Sequence, residues 1–109
     1  MANLFDAIPG DLPEELSERL LDSGTVRIER IISRGHQTDW LDQPDNEWVM
    51  VLQGEARLSV QAKTAQTTER QIKDIVMKPG DYLALPAHTL HRVSWSTPDT
   101  ETIWLAVHY

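Results

Sequence analysis

Apolar and polar positions alternate along most of the chain from Thr25 onward, and this period of two is typical of β-strands. The runs are rich in β-branched and aromatic residues and are separated by residues that favour turns. Pro79 and Gly80 predict the central positions of a type II turn. So many short strands predict an all-β sandwich or barrel rather than a parallel α/β sheet. The predicted strands lie in the seven runs TVRIERIIS, EWVMVLQG, EARLSVQA, RQIKDIVM, YLALP, LHRVSWS and ETIWLAVHY, with KTAQTTE as a polar connector.

The N-terminal segment has a different pattern, which predicts one short helix. Asp11 suits the N-cap, the acidic pair Glu14 and Glu15 suits the first turn, and Gly24 suits the end of the helix. We therefore predict a helical segment within residues 1–24, without a chemical role, that packs on a barrel formed by residues 25–109. Four leucines recur at the spacing of its apolar face: Leu12, Leu16, Leu20 and Leu21.

Two of the predicted strands place polar groups on apolar faces. In NEWVMVLQG, Glu47 shares a face with two valines, and in LHRVSWS, His91 shares a face with Val93 and Trp95. A buried carboxylate without a partner is costly. The two inward groups therefore predict either a buried hydrogen-bonded pair or a shared metal site.

Composition restricts the classes of function. The chain has 109 residues, the size of one domain, and its net charge of −7 argues against phosphate-driven binding of nucleic acid and against anionic lipid surfaces. It has no cysteine, so a metal would be held by imidazole, carboxylate or amide oxygen. No apolar stretch approaches the roughly 20 residues of a membrane helix, and the first ten residues do not resemble a signal peptide. We therefore expect a cytoplasmic protein.

Two stretches resemble the motifs of the cupin family. DNEWVMVLQGEA, with Glu47 ahead of the strand-ending Gly54, resembles the second half of the first cupin motif. PGDYLALPAHTLHRV resembles the second motif and has His91 at the position of its histidine. From about Val26 to Tyr109, the chain is similar to small single-domain cupins. The resemblance implies a jelly-roll barrel, also called a double-stranded β-helix, which agrees with the strand count.

The resemblance also implies a divalent metal, such as Zn, Fe, Mn or Ni, inside the barrel. In the family, two histidines and a glutamate of the first motif and one histidine of the second hold the ion. Glu47 and His91 match this pattern, but the places of the first-motif histidines fall in WLDQ, residues 40–43. Three residues are candidates to replace them: Asp42, Gln43 and the upstream His36. Three more are candidates for substrate or second-layer contacts: His88, Trp95 and Trp40.

These observations support two functional hypotheses. The first is a small metal-dependent enzyme, an oxygenase, isomerase or related catalyst, that acts on a small molecule. The alternative is a non-catalytic module that binds or senses a sugar or an organic acid with an eroded metal site. The number of donors near Glu47 and His91 discriminates between them, because fewer than three converging donors would argue against catalysis by a bound metal. Because runs such as WVMVL and TIWLAV are apolar on both faces, we also expect a homodimer.

Overall fold

The fold is built from β-strands only, in the part of the chain that the computed structural model describes, residues 1–63 and 70–109. The all-β class and the seven predicted strands are confirmed, whereas residues 64–69 of the predicted connector lie outside the described residues. No helix in the described residues is long and apolar enough to cross a membrane. The strands are β1 (Leu16–Asp22), β2 (Arg27–Ser33), β3 (Glu47–Gln53), β4 (Ala56–Lys63), β5 (Arg70–Met77), β6 (Tyr82–Leu85), β7 (His91–Ser96) and β8 (Thr102–His108).

The strands form two antiparallel sheets that face each other. The larger sheet has the order β1-β2-β8-β3-β6, and the smaller has the order β5-β4-β7. Non-consecutive neighbours such as β3 and β8 show that chain connections cross from one sheet to the other, as in a jelly roll. The inward side chains of both sheets form one core, which contains Val49, Val51, Ala56, Leu58, Met77, Trp104 and Ala106.

The predicted N-terminal helix is wrong, because residues 16–22 form the edge strand β1. β1 pairs with β2 from Leu16 opposite Ile32 to Asp22 opposite Arg27. Gly24, predicted to end the helix, instead lies in the turn between these strands with φ of +90°. An isolated helix of this length is marginal in water, whereas a sheet edge supplies ready backbone hydrogen bonds. The pairing to β2 therefore overrides the local helical spacing.

Two glycines have positive φ for identifiable reasons. Gly80 has φ of +91°, and the Asp81 N–H donates to the Lys78 carbonyl at 2.9 Å, which confirms the predicted type II turn. Gly54 has φ of +87° and lies against β8. A Cβ atom at Gly54 would lie 2.5 Å from Thr102 Oγ1, so only glycine fits this approach of the two chain segments.

The first residues of the chain are held on the outside of the larger sheet by Arg30. Arg30 is 6% exposed, and its guanidinium donates to the Leu4 carbonyl at 3.0 Å and to the Asp6 carbonyl at 2.6 Å. It also forms an ion pair with Glu18 of β1. Arg30 thus ties the segment before β1 to the barrel.

Candidate functional site

A small cavity lies between the two sheets. Its volume is about 50 Å³, and because about 10 to 15 Å³ of such volume is needed to hold one water molecule, the cavity has room for an ion and several water-sized groups. Most of its lining is apolar, which makes the few polar side chains that enter it conspicuous. The lining residues are Glu15, Ile31, Thr38, Leu41, Glu47, Val49, Leu58, Leu85, His91, Val93 and Trp104.

Glu47 is the first residue of β3, and its side chain enters this cavity. As predicted, it shares the inward face with Val49 and Val51, and all three are buried. Glu47 is 7% exposed, and its Oε2 atom is buried without a hydrogen-bond partner among the described residues. Burial of a carboxylate oxygen without a hydrogen bond is energetically unfavourable, so packing of the fold alone does not account for Glu47 at this position.

His91 is the first residue of β7 and faces Glu47 from the opposite sheet. Its Nδ1 atom lies 2.8 Å from the Thr89 carbonyl, and because a carbonyl only accepts hydrogen bonds, Nδ1 carries the proton. Its Nε2 atom lies 3.6 Å from Glu47 Oε2, beyond hydrogen-bonding distance but close enough for a strong charge interaction. The predicted convergence of these two groups inside the barrel is therefore observed.

The pKa of His91 is raised in the folded protein by the net effect of opposing causes. Burial acts to lower the pKa, because it disfavours the charged imidazolium. The nearby Glu47 carboxylate and the Thr89 carbonyl act to raise the pKa, and together they prevail. The site thus favours the protonated imidazole, and a metal ion at Nε2 would have to displace that proton.

Glu15 is a third titratable group of the cavity, although its sequence context predicts only the first turn of a helix. It lies directly before β1 and lines the same cavity as Glu47 and His91. Its Oε2 atom is also buried without a hydrogen-bond partner among the described residues. No local pattern marks Glu15, because its place depends on how the N-terminal segment packs against the barrel.

The chain between β2 and β3 also reaches the cavity, by pairing with β7. Leu41 and His91 form an isolated β-bridge, in which the Leu41 N–H donates to the His91 carbonyl at 2.7 Å. The Thr38 N–H donates to the Val93 carbonyl at 3.0 Å, and Thr38 Oγ1 accepts from the Val93 N–H at 2.9 Å. Thr38 and Leu41 line the cavity as a result, although neither was a predicted site residue.

The other predicted ligands do not line the cavity. Asp42 and His88 form an exposed pair, with Asp42 Oδ1 2.8 Å from His88 Nδ1. The Gln43 backbone carbonyl accepts from the His88 N–H at 2.8 Å, whereas Gln43 Oε1 is buried without a partner among the described residues. His36 Nδ1 accepts from the Arg34 N–H at 2.9 Å. The structure thus brings Glu47 and His91 together without these three candidate ligands around them.

The two predicted tryptophans also lie outside the cavity lining. Trp40 is beside the Arg92 guanidinium at 5.9 Å, and Trp95 is beside the Arg57 guanidinium at 5.1 Å. The prediction that Trp95 shares the face of His91 is wrong. The register of β4 and β7 shifts at Ser94, and a β-bulge reverses the alternation of side chains beyond it.

His108 is a second imidazole inside the barrel, next to the site. It lies opposite Glu47 in the pairing of β3 and β8 and is 5% exposed. Its Nε2 atom lies 3.8 Å from Glu29 Oε2, and Glu29 also accepts a hydrogen bond from Ser17 at 3.0 Å. The alternation of side chains along TIWLAVH places His108 on the same face as the buried Trp104, and this pattern in the sequence could have predicted an inward His108.

The donors present fit a divalent cation in part. Two ligands bound at about 2.1 Å to one ion lie roughly 3.0 to 3.4 Å apart, close to the observed separation of 3.6 Å between His91 Nε2 and Glu47 Oε2. Within the described residues, no three His, Cys, Asp or Glu side chains are grouped to hold a metal ion. The described protein therefore offers two convergent ligands, and water or a bound small molecule would complete the coordination.

Comparisons with known proteins agree with this architecture. A family model described as Cupin domain matches residues 29–108. A crystal structure of a candidate mannose-6-phosphate isomerase from Ralstonia eutropha is 40% identical, with a TM-score of 0.81 over 99% of this chain and 95% of that one. No protein of curated function matches the sequence.

Two more distant structures share the fold. A cupin superfamily protein from Desulfitobacterium hafniense is 24% identical, with a TM-score of 0.66 over 93% of this chain and 82% of that one. An oxalate oxidase is 16% identical, with a TM-score of 0.63 over 77% of this chain and 41% of that one. Taken with the barrel and its inward Glu47 and His91, the family match shows that this chain belongs to the cupin family.

Proposed function

We propose that this cupin binds a divalent metal ion and a small-molecule ligand in the barrel cavity, with Glu47 and His91 as the protein's metal ligands. The observation that carries the proposal is the approach of His91 Nε2 to Glu47 Oε2, at 3.6 Å, in a cavity where no described residue forms a hydrogen bond with this oxygen. A cation placed there would satisfy a buried oxygen that the described fold leaves unpaired.

Neighbouring residues prepare both side chains for this role. The Thr89 carbonyl accepts the Nδ1 proton of His91, and this hydrogen bond leaves the neutral imidazole with its lone pair on Nε2. Leu58, Leu85 and Val93 limit water in the cavity, and the low local dielectric strengthens charge interactions there. When bound, a divalent ion supplies Lewis-acid polarisation of a hydroxyl or carbonyl oxygen of the ligand.

The ligand would present a single oxygen-bearing group to this site. The cavity of about 50 Å³ has room for an ion and several water-sized groups, so the rest of a larger ligand would remain outside it. The Ralstonia eutropha relative is named as a candidate mannose-6-phosphate isomerase. Isomerisation of aldose and ketose sugars is therefore the first activity to assay with the metal-loaded protein.

A second candidate function is a binding or sensor module that works without metal. The lack of a three-residue metal-ligand group in the described chain favours it. In that case the Glu47 carboxylate would accept a hydrogen bond from a hydroxyl group of a small molecule, and His91 Nε2 would accept from a hydroxyl when neutral or donate to one when protonated.

Metal titration separates the two candidates. Metal-stripped protein would be titrated with Zn²⁺, Mn²⁺, Fe²⁺ and Ni²⁺ by calorimetry, with the melting temperature followed in parallel. At a metal concentration of about 100 Kd, binding stabilises the native state by about 2.7 kcal/mol. For a domain of this size, that gain raises the melting temperature by roughly 10 °C.

The matched control for this titration is the exposed Asp42–His88 pair, which has the same chemistry outside the cavity. Glu47→Gln with His91→Asn should abolish the effect, whereas Asp42→Asn with His88→Asn should keep it. Absence of metal binding in wild-type protein would contradict the metal proposal and support the binding module that works without metal. Loss of binding only in the Asp42–His88 variant would place the ion on the surface.

We also propose that two copies of the chain pair through the outward face of the larger sheet. Trp48 and Tyr82 lie in contact on this face with ring centroids 5.4 Å apart, and Tyr82 is 66% exposed. Burial of these rings in a dimer would remove apolar surface from water. Sedimentation should give the mass of two chains for wild type and of one chain for Tyr82→Glu. A single-chain mass for wild type would refute the pairing.

A further inference from the structure

Glu15 reaches the cavity from a part of the chain that the family match, residues 29–108, does not include. The β1–β2 ladder begins with Leu16 opposite Ile32, and Glu15 directly precedes it. Successive side chains of an extended chain point to opposite faces of a sheet. The pairing of β1 thus holds the Glu15 carboxyl on the cavity side, where it is part of the lining.

The cavity contains two carboxyl groups whose charge is incompletely balanced. Glu15 Oε2 and Glu47 Oε2 are both buried without hydrogen-bond partners among the described residues, and Glu47 is more than nine-tenths buried. His91 is the single basic side chain among the described residues that line the cavity, and no Lys or Arg belongs to this lining. The described lining therefore holds two acidic side chains and one basic side chain.

The electrostatics of Glu15 agree with this position. Burial raises the pKa of Glu15, His36 acts to lower it, and the Glu47 carboxylate raises it again, so the net direction is upward. Glu15 is therefore within electrostatic reach of Glu47. Its chemistry suits a hydroxyl partner in either protonation state, because a carboxylate accepts a hydrogen bond and a carboxylic acid also donates one.

We propose that Glu15 is a ligand-contacting residue of this cavity, and that it restricts the cavity to metal cations and to neutral hydroxyl-bearing or cationic organic groups. The inference deepens the proposed function, because it rests on the same cavity being the binding site. An anionic group would be desolvated beside two carboxyls at low dielectric, and the repulsion would exclude it. A sugar hydroxyl therefore fits the site, whereas the carboxylate of an organic acid does not.

The test compares Glu15→Gln with Glu14→Gln, a matched change at the exposed neighbour in the same segment. The probes are Mn²⁺ alone, followed by calorimetry, and acetate alone, followed by NMR shifts of the His91 ring. Glu15→Gln should weaken Mn²⁺ binding about tenfold and strengthen acetate binding about tenfold. Glu14→Gln should leave both affinities within about twofold of wild type. A melting curve for each variant verifies that it is folded.

The two proposals can fail separately in this experiment. If wild type binds Mn²⁺ and Glu15→Gln matches Glu14→Gln with both probes, the role of Glu15 is overturned while the metal site stands. If wild type binds no Mn²⁺, the metal proposal fails, and acetate alone decides the role of Glu15. A tenfold gain in acetate affinity then supports the role, and an unchanged acetate affinity overturns it.

Discussion

Replacement of Glu47 by methionine should stabilise the metal-free protein. Glu47 is 7% exposed, and its Oε2 atom has no hydrogen bond among the described residues, a condition that costs about 1 to 3 kcal/mol. At a pH well above the raised pKa of His91 the imidazole is neutral, so no ion pair with Glu47 across 3.6 Å offsets this cost in full. Methionine is similarly long, unbranched and apolar. We therefore expect a gain of about 1 to 2 kcal/mol in unfolding free energy and roughly 4 to 8 °C in melting temperature.

Urea unfolding of chelator-treated protein, followed by circular dichroism at fixed pH, measures this difference. Glu14→Met is the control, because this exposed side chain should change stability by less than about 0.5 kcal/mol. Glu47→Met should at the same time lose metal binding, as expected of a residue kept for function at a cost in stability. If Glu47→Met destabilises the metal-free protein by more than about 1 kcal/mol, the carboxylate is part of the fold, and the functional argument for it fails.

Three further predictions concern the same barrel. Burial lowers the pKa of His91, but Glu47 and Thr89 raise it by more, so its folded pKa lies above the unfolded pKa of 6.5. Protonation of His91 therefore stabilises the folded state fully below pH 6.5, and this stabilisation is lost as the pH rises through the folded pKa. The stability advantage of metal-free wild type over His91→Gln should shrink above pH 6.5 in urea titrations, and an advantage that grows with pH would contradict this. Gly54→Ala should lower the free energy of unfolding by about 3 kcal/mol, because the added Cβ would lie 2.5 Å from Thr102 Oγ1 and the backbone has a φ of +87°. An unchanged midpoint of urea unfolding would contradict the described packing. Arg30→Met should speed proteolytic cleavage within residues 1–10, since two backbone carbonyls lose their donor, and equal cleavage rates would exclude the proposed tie.

Strand alternation made the main features of the site predictable from sequence. The period of two placed Glu47 on the face of Val49 and Val51, and the cupin motifs placed His91 on a second strand. Both inferences depend on backbone geometry, which repeats along a strand regardless of the rest of the fold. The same rule fails at Trp95, because a bulge at Ser94 inserts one residue and reverses the faces beyond it.

Features that depend on distant parts of the chain were not predictable in this way. Residues 16–22 have apolar residues at helical spacing but pair with β2 as a strand. The free edge of the sheet decides between helix and strand, and the local sequence does not show that edge. Glu15 enters the cavity because of that pairing, so its role follows from the same long-range contact. Asp42 occupies a suitable motif position, yet loop conformation turns it toward His88 at the surface. A motif fixes order along the chain but not the direction of a loop side chain.

Crystals of metal-stripped protein soaked in Mn²⁺ or Zn²⁺ would locate the bound ion by its anomalous scattering. We predict one strong peak in the cavity, between Glu47 Oε2 and His91 Nε2. No peak there, or a peak only beside the exposed Asp42 and His88, would contradict the proposed metal site.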